Sequence, residues 1–496
     1  MKLNMRMEQR LFPESQLQTL LKDALTVWRQ SAFRIHGTDE WFDYLRSYGC
    51  HVDGELVRFP NVVVDKVMAR AGEEKRRRQA ETPGPEPATE LRLYTHGQAL
   101  HICDLESNRI RPALEADLTA WCHAVDRLGD VERSHPTFIP TDAPLQSADL
   151  HAFATIALHS RRPHRVSVYS ARMLPFFIET CRIVKGTLEK VRQEPVFATK
   201  CWVNSPFMIT RESLEVAMAV RRQLGVPITF GQMPVAGGAG PITVAGSLVQ
   251  NTAESLALCA MRLAIDDRIH EIEPTSAFID MRDACQRQNG PDLFLHRVAG
   301  ADMNRYIFGG SATALMPSSV SAPVVSPQSV FEKALYAGFN FACGNRDFGL
   351  GSLSASDVGS PVQLMIDYEL AGYFRHLLRD VSGDAAHIGL ATMLTTIPQG
   401  ARFMENEHTA RFFREECWFS ALVDHRAPLA WANNPSDLIV RARERARDWF
   451  GASENQCPLS ESQRRDILAV VAEADRLIAS DKERVTEPCR RMPAML

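Results

Sequence analysis

From about residue 113 to 426 the chain alternates short β-rich runs with amphipathic helical segments, and this alternation most limits its fold. The runs predicted as strands are 131–138, 165–169, 197–203, 228–232, 277–280, 305–309, 340–343 and 401–404. Helices are predicted between them, including 174–185, 211–224, 247–264, 328–337 and 361–379. Because a helical crossover returns the chain to the same end of a sheet, this order favours a parallel sheet.

Eight predicted strands favour an α/β fold of the (β/α)8 TIM-barrel type, with an open doubly wound sheet as the structural alternative. We expect residues 113–430 to form the barrel. Residues 1–112 are predicted to be an accessory region of helices and short strands, with helices near 15–30 and 38–47. Residues 431–496 are predicted to be a C-terminal helical extension, with helices near 435–450 and 461–480.

Charge and cysteine content narrow the class of partner and the compartment. The 56 Lys and Arg against 60 Asp and Glu leave a formal charge of −4, which predicts neither nucleic-acid nor membrane-surface binding. The eleven cysteines are scattered without a CxxC pair, as is typical of reduced thiols. No apolar run reaches the ~18 residues that a membrane helix needs, and the N-terminal sequence lacks a secretory pattern. We therefore expect a cytoplasmic protein.

Two local motifs suggest specific chemistry, but each has a simpler interpretation. His101-Ile102-Cys103 is half of a thiol-activating zinc site, and it would need another cysteine nearby in the fold; a structural role in a strand is the alternative. The glycine-rich stretch 236–241 has neither Gly-Lys-Ser/Thr nor a GxGxxG frame, so it does not predict a nucleotide loop. Neither motif establishes a function.

The most informative stretch runs from Gly225 through a glycine-rich segment to Glu254. A strand is predicted to end at a turn where glycines allow a ligand to approach the backbone, and a helix is predicted to start just beyond it. On a barrel, strand ends of this kind form the catalytic face. Simple chain reversal is the alternative.

Together with further motifs in order, that stretch resembles the trimethylamine methyltransferase family, and specifically its non-pyrrolysine branch of glycine betaine and quaternary amine methyltransferases. The resemblance covers roughly residues 15 to 430. The other matching residues are Val52-Asp53 with Arg58 and Pro60, Asn204-Ser205-Pro206, Asp280-Met281-Arg282, Gln328 with Glu332-Lys333, Gly338-Phe339-Asn340, Ser360 with Leu364 and Ile366-Asp367, Glu407-His408-Thr409 and Asp424-His425-Arg426.

The resemblance implies an enzyme that binds a small methylated amine and passes one methyl group to the Co(I) corrinoid of a separate protein. A chain that carried the corrinoid itself would show Asp-x-His-x-x-Gly, and the nearest match at 384–389 has the wrong spacing. We therefore expect the corrinoid (cobalamin) on a partner protein and no metal on this chain. A homo-oligomer is also expected.

A quaternary ammonium has no N–H group, so aromatic faces are its natural ligands. The aromatic candidates at predicted strand ends are Trp202, Phe230, Tyr306, Phe308 and Phe348; core packing is the alternative for each. The polar candidates near the barrel mouth are Asn204, Gln232, Asp280, Arg282 and His408. Arg282 or His408 could bind a substrate carboxylate, or could instead cap a helix or pair with an acid.

This sequence also departs from the family pattern. A rough alignment places residues 320–324, with Pro323 nearest, where trimethylamine enzymes carry pyrrolysine. A quaternary substrate is therefore favoured over a tertiary amine. Gly344 and Phe348 stand where the resemblance places a histidine and then a tryptophan in many relatives. These departures favour a substrate other than glycine betaine, and they leave open a catalytically silent barrel that only binds a methylated amine.

Overall fold

The computed structural model describes residues 10–80, 90–95, 97–133, 135–162, 167–197, 200–309 and 320–480. The helices are α1 (Glu14–Gln30), α2 (Asp39–Tyr48), α3 (Asn61–Ala80), α4 (Glu115–Arg127), α5 (Ala148–His159), α6 (Leu174–Lys185), α7 (Leu188–Gln193), α8 (Arg211–Leu224), α9 (Val244–Asp266), α10 (Pro291–Phe308), α11 (Pro327–Ala342), α12 (Pro361–Leu377), α13 (Ala385–Ile388), α14 (Leu390–Thr396), α15 (Glu407–Glu416), α16 (Pro428–Asn433), α17 (Leu438–Gly451) and α18 (Glu461–Ser480).

The strands are short, and most of them belong to sheets that mix parallel and antiparallel pairs. They are β1 (Phe33–Ile35), β2 (His51–Asp53), β3 (Leu56–Arg58), β4 (Arg92–Thr95), β5 (His101–Cys103), β6 (Ile110–Pro112), β7 (Val131–Arg133), β8 (Lys200–Asn204), β9 (Met208–Ile209), β10 (Thr229–Gln232), β11 (Val235–Ala236), β12 (Ala277–Asp280), β13 (Cys285–Arg287), β14 (Asp347–Leu350), β15 (Ser352–Leu353) and β16 (Val358–Gly359). The chain therefore has a mixed α/β fold, as the sequence predicts.

Parallel pairs join strands that are far apart in sequence: β5 pairs with β16 in the four-stranded sheet β15-β16-β5-β6, and two further groups contain the other such pairs considered below. In the first, β4 lies between β7 and β14 and is parallel to both. In the second, β10 is parallel to β8, and β11, which follows β10 directly, is parallel to β12. The pairing of β4 with β14 brings an early strand beside a late one. β4 lies before residue 113, yet it pairs with two strands that lie after it. The predicted domain limits at 112 and 430 stay predictions.

The N-terminal region continues the second group of strands. β1 pairs antiparallel with β3 and parallel with β9, which returns antiparallel along β8, so six strands follow the order β10-β8-β9-β1-β3-β2. α1 lies against α9, and the shared core includes the fully buried Trp28 and Trp41. The predicted accessory helices and short strands are therefore present, and they pack against the α8 and α9 region.

Three of the predicted strands are wrong. Residues 305–309 belong to the end of α10 and its C-cap, 340–343 to the end of α11, and 401–404 to an irregular segment that leads into a 3₁₀ turn. The runs at 305–309 and 340–343 are short apolar stretches whose local composition suits a strand or the last turn of a buried helix equally well. Phe308 and Phe341 are fully buried by helix packing, which decides between the two. Residues 165 and 166 of another predicted strand lie outside the described residues, and 167–169 form no strand.

The C-terminal helices are confirmed, with α17 against α12 and α18 against α5 and α6. His151 of α5 anchors α18: its Nε2 lies 3.0 Å from Asp475 Oδ2, and its Nδ1 lies 3.8 Å from Glu115 Oε2. Ser147 Oγ also donates to Asp475, at 2.6 Å. Hydrogen bonding to Glu115 and then to Asp475 raises the pKa of His151.

We expect this contact to make stability depend on pH. Because the pKa of His151 is higher in the folded protein than in the unfolded chain, its stabilising contribution is present below about pH 6.5 and is lost as pH rises through the folded pKa. His151→Gln should lower the free energy of unfolding by about 1 kcal/mol at pH 6 and by less at pH 8.5. Denaturant unfolding of both proteins at the two pH values measures this; an equal loss at both would contradict it.

Within the described residues, no helix is both long enough and apolar enough to cross a membrane.

Candidate substrate site

The two faces of the β8–β10 pair differ sharply. Along β8 the side chains of Cys201 and Val203 are buried, while Lys200, Trp202 and Asn204 are exposed on the other face. Trp202 lies opposite Gly231 in the register, and a Cβ at Gly231 would come within 2.9 Å of the indole ring. Glycine at this position therefore leaves room for the tryptophan ring, which is 37% exposed.

The exposed face, formed by Lys200, Trp202 and Asn204, places a cation beside an aromatic ring. Lys200 Nζ lies 5.3 Å from the centroid of the Trp202 ring, within the range of a cation–π contact. Asn204 follows at the C-terminal end of β8 and is exposed. This face, called the Trp202 face below, brings two of the sequence candidates, Trp202 and Asn204, together.

Phe230 and Gln232 lie on the opposite side of the strand pair, against the helices. Phe230 is 2% exposed and packs edge-on against Trp41 and His270, with ring centroids 6.2 and 5.9 Å away. Burial lowers the pKa of His270 to about 3, so this contact involves a neutral imidazole. Phe230 therefore occupies the core, which is the alternative that the sequence left open.

Gln232 belongs to a buried hydrogen-bond network centred on Glu254 of α9. Its Nε2 donates to Glu254 Oε2 at 2.7 Å, and its Oε1 accepts from Ser255 Oγ at 2.6 Å. Ser205 Oγ and the Phe207 backbone N–H also donate to Glu254, at 2.7 and 2.6 Å. Burial raises the pKa of Glu254 above its ordinary value. Three motifs that are distant in sequence therefore meet at one carboxylate, which holds the loop after β8.

A cleft of about 720 Å³ lies beside this loop. Its walls come from α1 and the segment that follows it, from Pro206 and Phe207, and from residues 241–250 at the start of α9. A Cβ at Gly240 would lie 2.9 Å from Gln250 Oε1, and a Cβ at Gly246 would lie 2.7 Å from Pro241 Cβ. The sequence prediction of a glycine-rich turn that leads directly into a helix is confirmed.

The polar candidates Asp280, Arg282 and His408 have protein partners. Arg282 Nη2 and Nε donate to the Asp280 carboxylate at 2.6 and 2.9 Å, which holds the pKa of Asp280 well below its usual range. His408 Nε2 lies 3.1 Å from the carbonyl oxygen of Ala386 and 3.3 Å from that of His387, at the end of α13. In this structure Asp280 and Arg282 therefore pair with each other, and His408 caps a helix. These are the alternatives that the sequence left open.

The remaining aromatic candidates lie apart from the Trp202 face. Tyr306 and Phe308 are in α10 and not at a strand end; Tyr306 packs under Lys75 Nζ at 5.1 Å, and Phe308 is fully buried. Phe348 is on β14 but is buried against Phe341, with ring centroids 5.6 Å apart. Their assignment to the substrate site stays a prediction, and their positions support core packing.

Sequence reasoning named Lys333 and Asp367 only as family motifs, yet they form a buried ion pair. Lys333 Nζ lies 3.2 Å from Asp367 Oδ2 and donates to the Gly349 carbonyl at 2.7 Å. Asp367 also accepts from the Gly351 N–H at 2.7 Å and from Gln363 Nε2 at 2.8 Å. Burial lowers the pKa of Lys333 and raises that of Asp367, and their mutual attraction opposes both shifts. The pair holds the C-terminal end of β14.

The neighbouring Glu332 holds the segment that the rough alignment places at the pyrrolysine position. Its Oε2 accepts from the N–H groups of Ser321 and Ala322, at 2.6 and 3.2 Å. The backbone N–H groups of Ser354 and Ala355 donate to the carbonyl oxygens of Ala322 and Val320, so hydrogen bonds also hold this segment from a second side. Ser354, Ala355 and Ser356 all have positive φ, at 44°, 55° and 78°, a run that few L-residues adopt.

His101 and Cys103 have neighbours that do not make a zinc site. His101 Nδ1 lies 3.6 Å from Asp357 Oδ2, and Cys103 Sγ lies 3.3 Å from Asn108 Oδ1. Burial raises the pKa of Cys103, which favours the thiol over the thiolate that zinc requires. Among the residues that the structure describes, no three His, Cys, Asp or Glu side chains are grouped to hold a metal.

Comparison with known proteins defines the family to which this chain belongs. The model of the family "Trimethylamine methyltransferase (MTTB)" matches residues 3–477. The trimethylamine methyltransferase MttB of Desulfitobacterium hafniense (strain DSM 10664 / DCB-2) is 21% identical over 487 residues, covering 94% of each chain. The glycine betaine methyltransferase of Desulfitobacterium hafniense (strain Y51) is 23% identical over 274 residues, covering 54% of this chain and 56% of that one.

A solved structure is also similar over most of its length. The crystal structure of the Methanosarcina barkeri monomethylamine methyltransferase (MtmB) has a TM-score of 0.41 and 11% identity, covering 88% of this chain and 93% of that one. The family match spans nearly the whole sequence. The chain therefore belongs to the trimethylamine methyltransferase family and is a methyltransferase, and the family implies a methylamine substrate and a corrinoid protein partner.

Proposed function

We propose that this enzyme transfers a methyl group from a small quaternary amine to the corrinoid of a separate protein, and that the alkylated nitrogen binds at the Trp202 face. The observation that carries the proposal is the exposed indole beside Gly231, with Asn204 at the adjacent strand end. A permethylated cation offers no N–H donor, so an open aromatic ring is a suitable ligand for it. The Lys200 ammonium already lies near this ring, which supports its capacity to hold a cation.

The chemistry of a quaternary donor suits the residues present. When the methyl group leaves nitrogen, the C–N electron pair stays on nitrogen, and the product is a neutral tertiary amine that needs no proton. The corrinoid of the partner supplies the nucleophile. This chain then has to orient the C–N bond and exclude water, so neither a general acid nor pyrrolysine is required.

The proposal includes closure of the sheet into a barrel. One group has the order β14-β4-β7; in the other, β8 lies beside β10, and β11, which follows β10 in the chain, lies beside β12. A (β/α)8 barrel would have this order, with its last strand beside its first. In such a barrel, Asn204 at the end of β8 would lie at the catalytic mouth. The Glu254 network supports that mouth by fixing the loop that follows β8.

The first test is methyl transfer itself. The purified protein is mixed with a Co(I) corrinoid on a competent partner protein and with a panel of quaternary amines, including betaines, and the loss of Co(I) absorbance is followed. At least one amine should be demethylated. Binding of an amine without transfer across the panel would instead support the catalytically silent alternative, for which Pro323, Gly344 and Phe348 are the sequence grounds.

Trp202→Leu should lower kcat/KM for the active amine about 10-fold or more, because a desolvated cation–π contact contributes roughly 1–2 kcal/mol. Trp202→Phe, which keeps an aromatic face, should retain most of the activity. Steady-state kinetics of the three proteins measures this effect. Equal losses in the leucine and phenylalanine variants would argue against an aromatic ligand for the substrate.

Lys200→Met separates two kinds of substrate. If the substrate carries a carboxylate, Lys200 is placed to bind it, and the variant should lose about 10-fold in kcat/KM, as expected for a charged hydrogen bond. If the substrate is a simple cation, removing the competing ammonium should leave kcat/KM unchanged or raise it. Lys66→Met is a matched control, since Lys66 Nζ lies 5.2 Å from the Tyr48 ring centroid in a contact outside the Trp202 face. A similar change in the control would contradict the assignment.

A further inference from the structure

Several polar side chains between α10 and α11 are buried without hydrogen-bond partners. Among the described residues, no partner is found for Arg297 Nε, the Tyr336 hydroxyl oxygen or Asn340 Oδ1. The Glu273 carboxylate, in the segment before β12, accepts no hydrogen bond from the described part of the chain either. Buried polar groups are almost always hydrogen-bonded, so unsatisfied groups call for an explanation such as a bound ion or ligand. These four residues are called the Arg297 cluster below.

The contacts of α10 place Arg297 between α11 and the segment that leads into β12. Phe294, one turn before Arg297, packs against Phe339 of α11, with ring centroids 5.1 Å apart. Gly300, one turn after it, lies so close to Pro274 that an added Cβ would come within 3.0 Å of the proline Cβ. Residues three apart are neighbours on a helix surface, so Arg297 lies on the face of α10 that meets both neighbours.

Tyr336 and Glu273 flank this arginine from those two sides. Tyr336 lies one turn before the α11 phenylalanine that contacts α10, and Glu273 immediately precedes the proline. Burial raises the pKa of Tyr336, and the charge of Arg297 opposes this shift. The Asn340 side chain lies near the Tyr336 hydroxyl without accepting a hydrogen bond from it. Burial also raises the pKa of Glu273, and attraction to Lys200 and Arg297 opposes it.

The charges around the Arg297 cluster do not balance. Arg297 and Lys200 both attract the single carboxylate of Glu273. The neighbouring Glu271 does not neutralise the excess, because it is paired with Arg78 at 2.6 Å. Two cations therefore share one anion. Arg297 is half-buried whereas Lys200 is exposed, so an anion beside the arginine would be attracted more strongly than one in open solvent.

We infer that Arg297 and Tyr336 form an anion-binding site that takes a carboxylate. The planar guanidinium presents N–H donors in a fork that matches a carboxylate, and the Tyr336 hydroxyl adds a neutral donor beside it. A bound carboxylate would balance the excess positive charge. Lys200 connects this site to the Trp202 face, because its ammonium lies near the Trp202 ring and also attracts Glu273.

The carboxylate can belong to the methylated amine itself or to a separate small acid. Its assignment to the amine rests on the proposed function. The anion site does not, because it follows from the unpartnered groups and the charges of the Arg297 cluster. The two sources are therefore tested separately.

The first experiment measures anion binding in the absence of the corrinoid protein. Acetate and longer simple carboxylates are titrated into the full-length protein at constant ionic strength, with chloride as the reference, and binding is followed by calorimetry and by thermal unfolding. Carboxylates should bind more tightly than chloride. Arg297→Met should weaken carboxylate binding about 10-fold or more, as expected for the loss of a charged hydrogen bond. Arg29→Met is the matched control: it removes an exposed arginine at the end of α1 and should bind carboxylates as the wild type does.

Tyr336→Phe removes only the hydroxyl group. It should weaken carboxylate binding about 3-fold to 10-fold, the range of one neutral hydrogen bond. It should not lower the melting temperature of the ligand-free protein, because this hydroxyl has no hydrogen-bond partner among the residues described. A lower melting temperature with unchanged carboxylate binding would show a purely structural role for the hydroxyl and would contradict the inference.

Methyl transfer distinguishes the two sources of the carboxylate. Quaternary amines with and without a carboxylate are compared as methyl donors. If the site holds the carboxylate of the amine, Arg297→Met should raise KM about 10-fold for the carboxylated donor and leave KM for the other donor unchanged. If it holds a separate acid, the variant should lose carboxylate binding while KM changes equally for both donors. Either result supports the anion site.

The inference is overturned if carboxylates bind no better than chloride, or if Arg297→Met binds them as tightly as the wild type does. Equal losses in Arg297→Met and Arg29→Met would show only a general effect of charge. If Arg297→Met is unfolded by circular dichroism, Tyr336→Phe decides. Absence of methyl transfer from every amine would count against the proposed function alone, because the acetate titration does not depend on it.

Discussion

Lys333→Met is expected to lower the free energy of unfolding by about 3–5 kcal/mol, because it leaves the Asp367 carboxylate buried without its cation. Both side chains are almost completely buried, at 2% and 0% exposure, and water cannot replace the lost partner. The Gly349 carbonyl also loses a donor. Denaturant unfolding followed by circular dichroism measures the change. The melting temperature should fall by several degrees.

The matched control is the double variant Lys333→Met/Asp367→Leu, which removes both charges together. Replacing a buried ion pair by apolar residues of similar volume is often close to neutral. We therefore expect the double variant to recover much of the lost stability, giving a large coupling energy between the two sites. Additive effects of the Lys333 and Asp367 substitutions would show that the pair does not act as one unit.

Glu254→Ala is expected to abolish most methyl transfer and to lower the free energy of unfolding by about 2–4 kcal/mol. Three donors, from the part-buried Ser205 and Phe207 and the buried Gln232, would be left without this acceptor, and each unsatisfied buried group costs roughly 1–3 kcal/mol. The loop after β8 would then no longer be fixed beside Asn204. A large fall in kcat at a temperature where the variant is still folded would support this positioning role.

Glu254→Gln is the conservative counterpart. The amide keeps one carbonyl oxygen as an acceptor, but its NH₂ group faces donors, so one or more contacts are lost. Its loss of stability and activity should lie between those of the wild type and Glu254→Ala. If Glu254→Ala keeps wild-type kcat, the carboxylate has only a structural function distant from the chemistry.

Local sequence patterns predicted regular elements well where the pattern is long. The helices at 174–185, 211–224 and 461–480 and the strand at 277–280 have the predicted limits. Helical periodicity and capping act within a few residues, so they can be read from the chain directly. The runs at 305–309 and 340–343 are too short for a period to decide, and the packing of Phe308 and Phe341 made them helical.

In the candidate site, too, the sequence predicted local motifs, and the structure decided how they are arranged in space. The sequence identified the motifs around Asn204, Gln232 and Glu254, and the structure joins them in one hydrogen-bond network. The sequence did not reveal that Phe230 and Gln232 face the helices, or that Trp202 and Asn204 lie on the opposite face of the strand pair. Alternation along β10 distinguishes its two faces, but which face packs on helices depends on α2 and α9, far away in the chain.

The sequence by itself determined the family, the α/β class and most of the helices, because these depend on ordered motifs and on short-range periodicity. Only the tertiary structure decided that Lys333 meets Asp367, that Arg282 pairs with Asp280 and that Trp202 stays open beside Gly231. Those contacts depend on the relative placement of separate elements. That placement is set by the packing of the whole core, and no local segment of the chain encodes it alone.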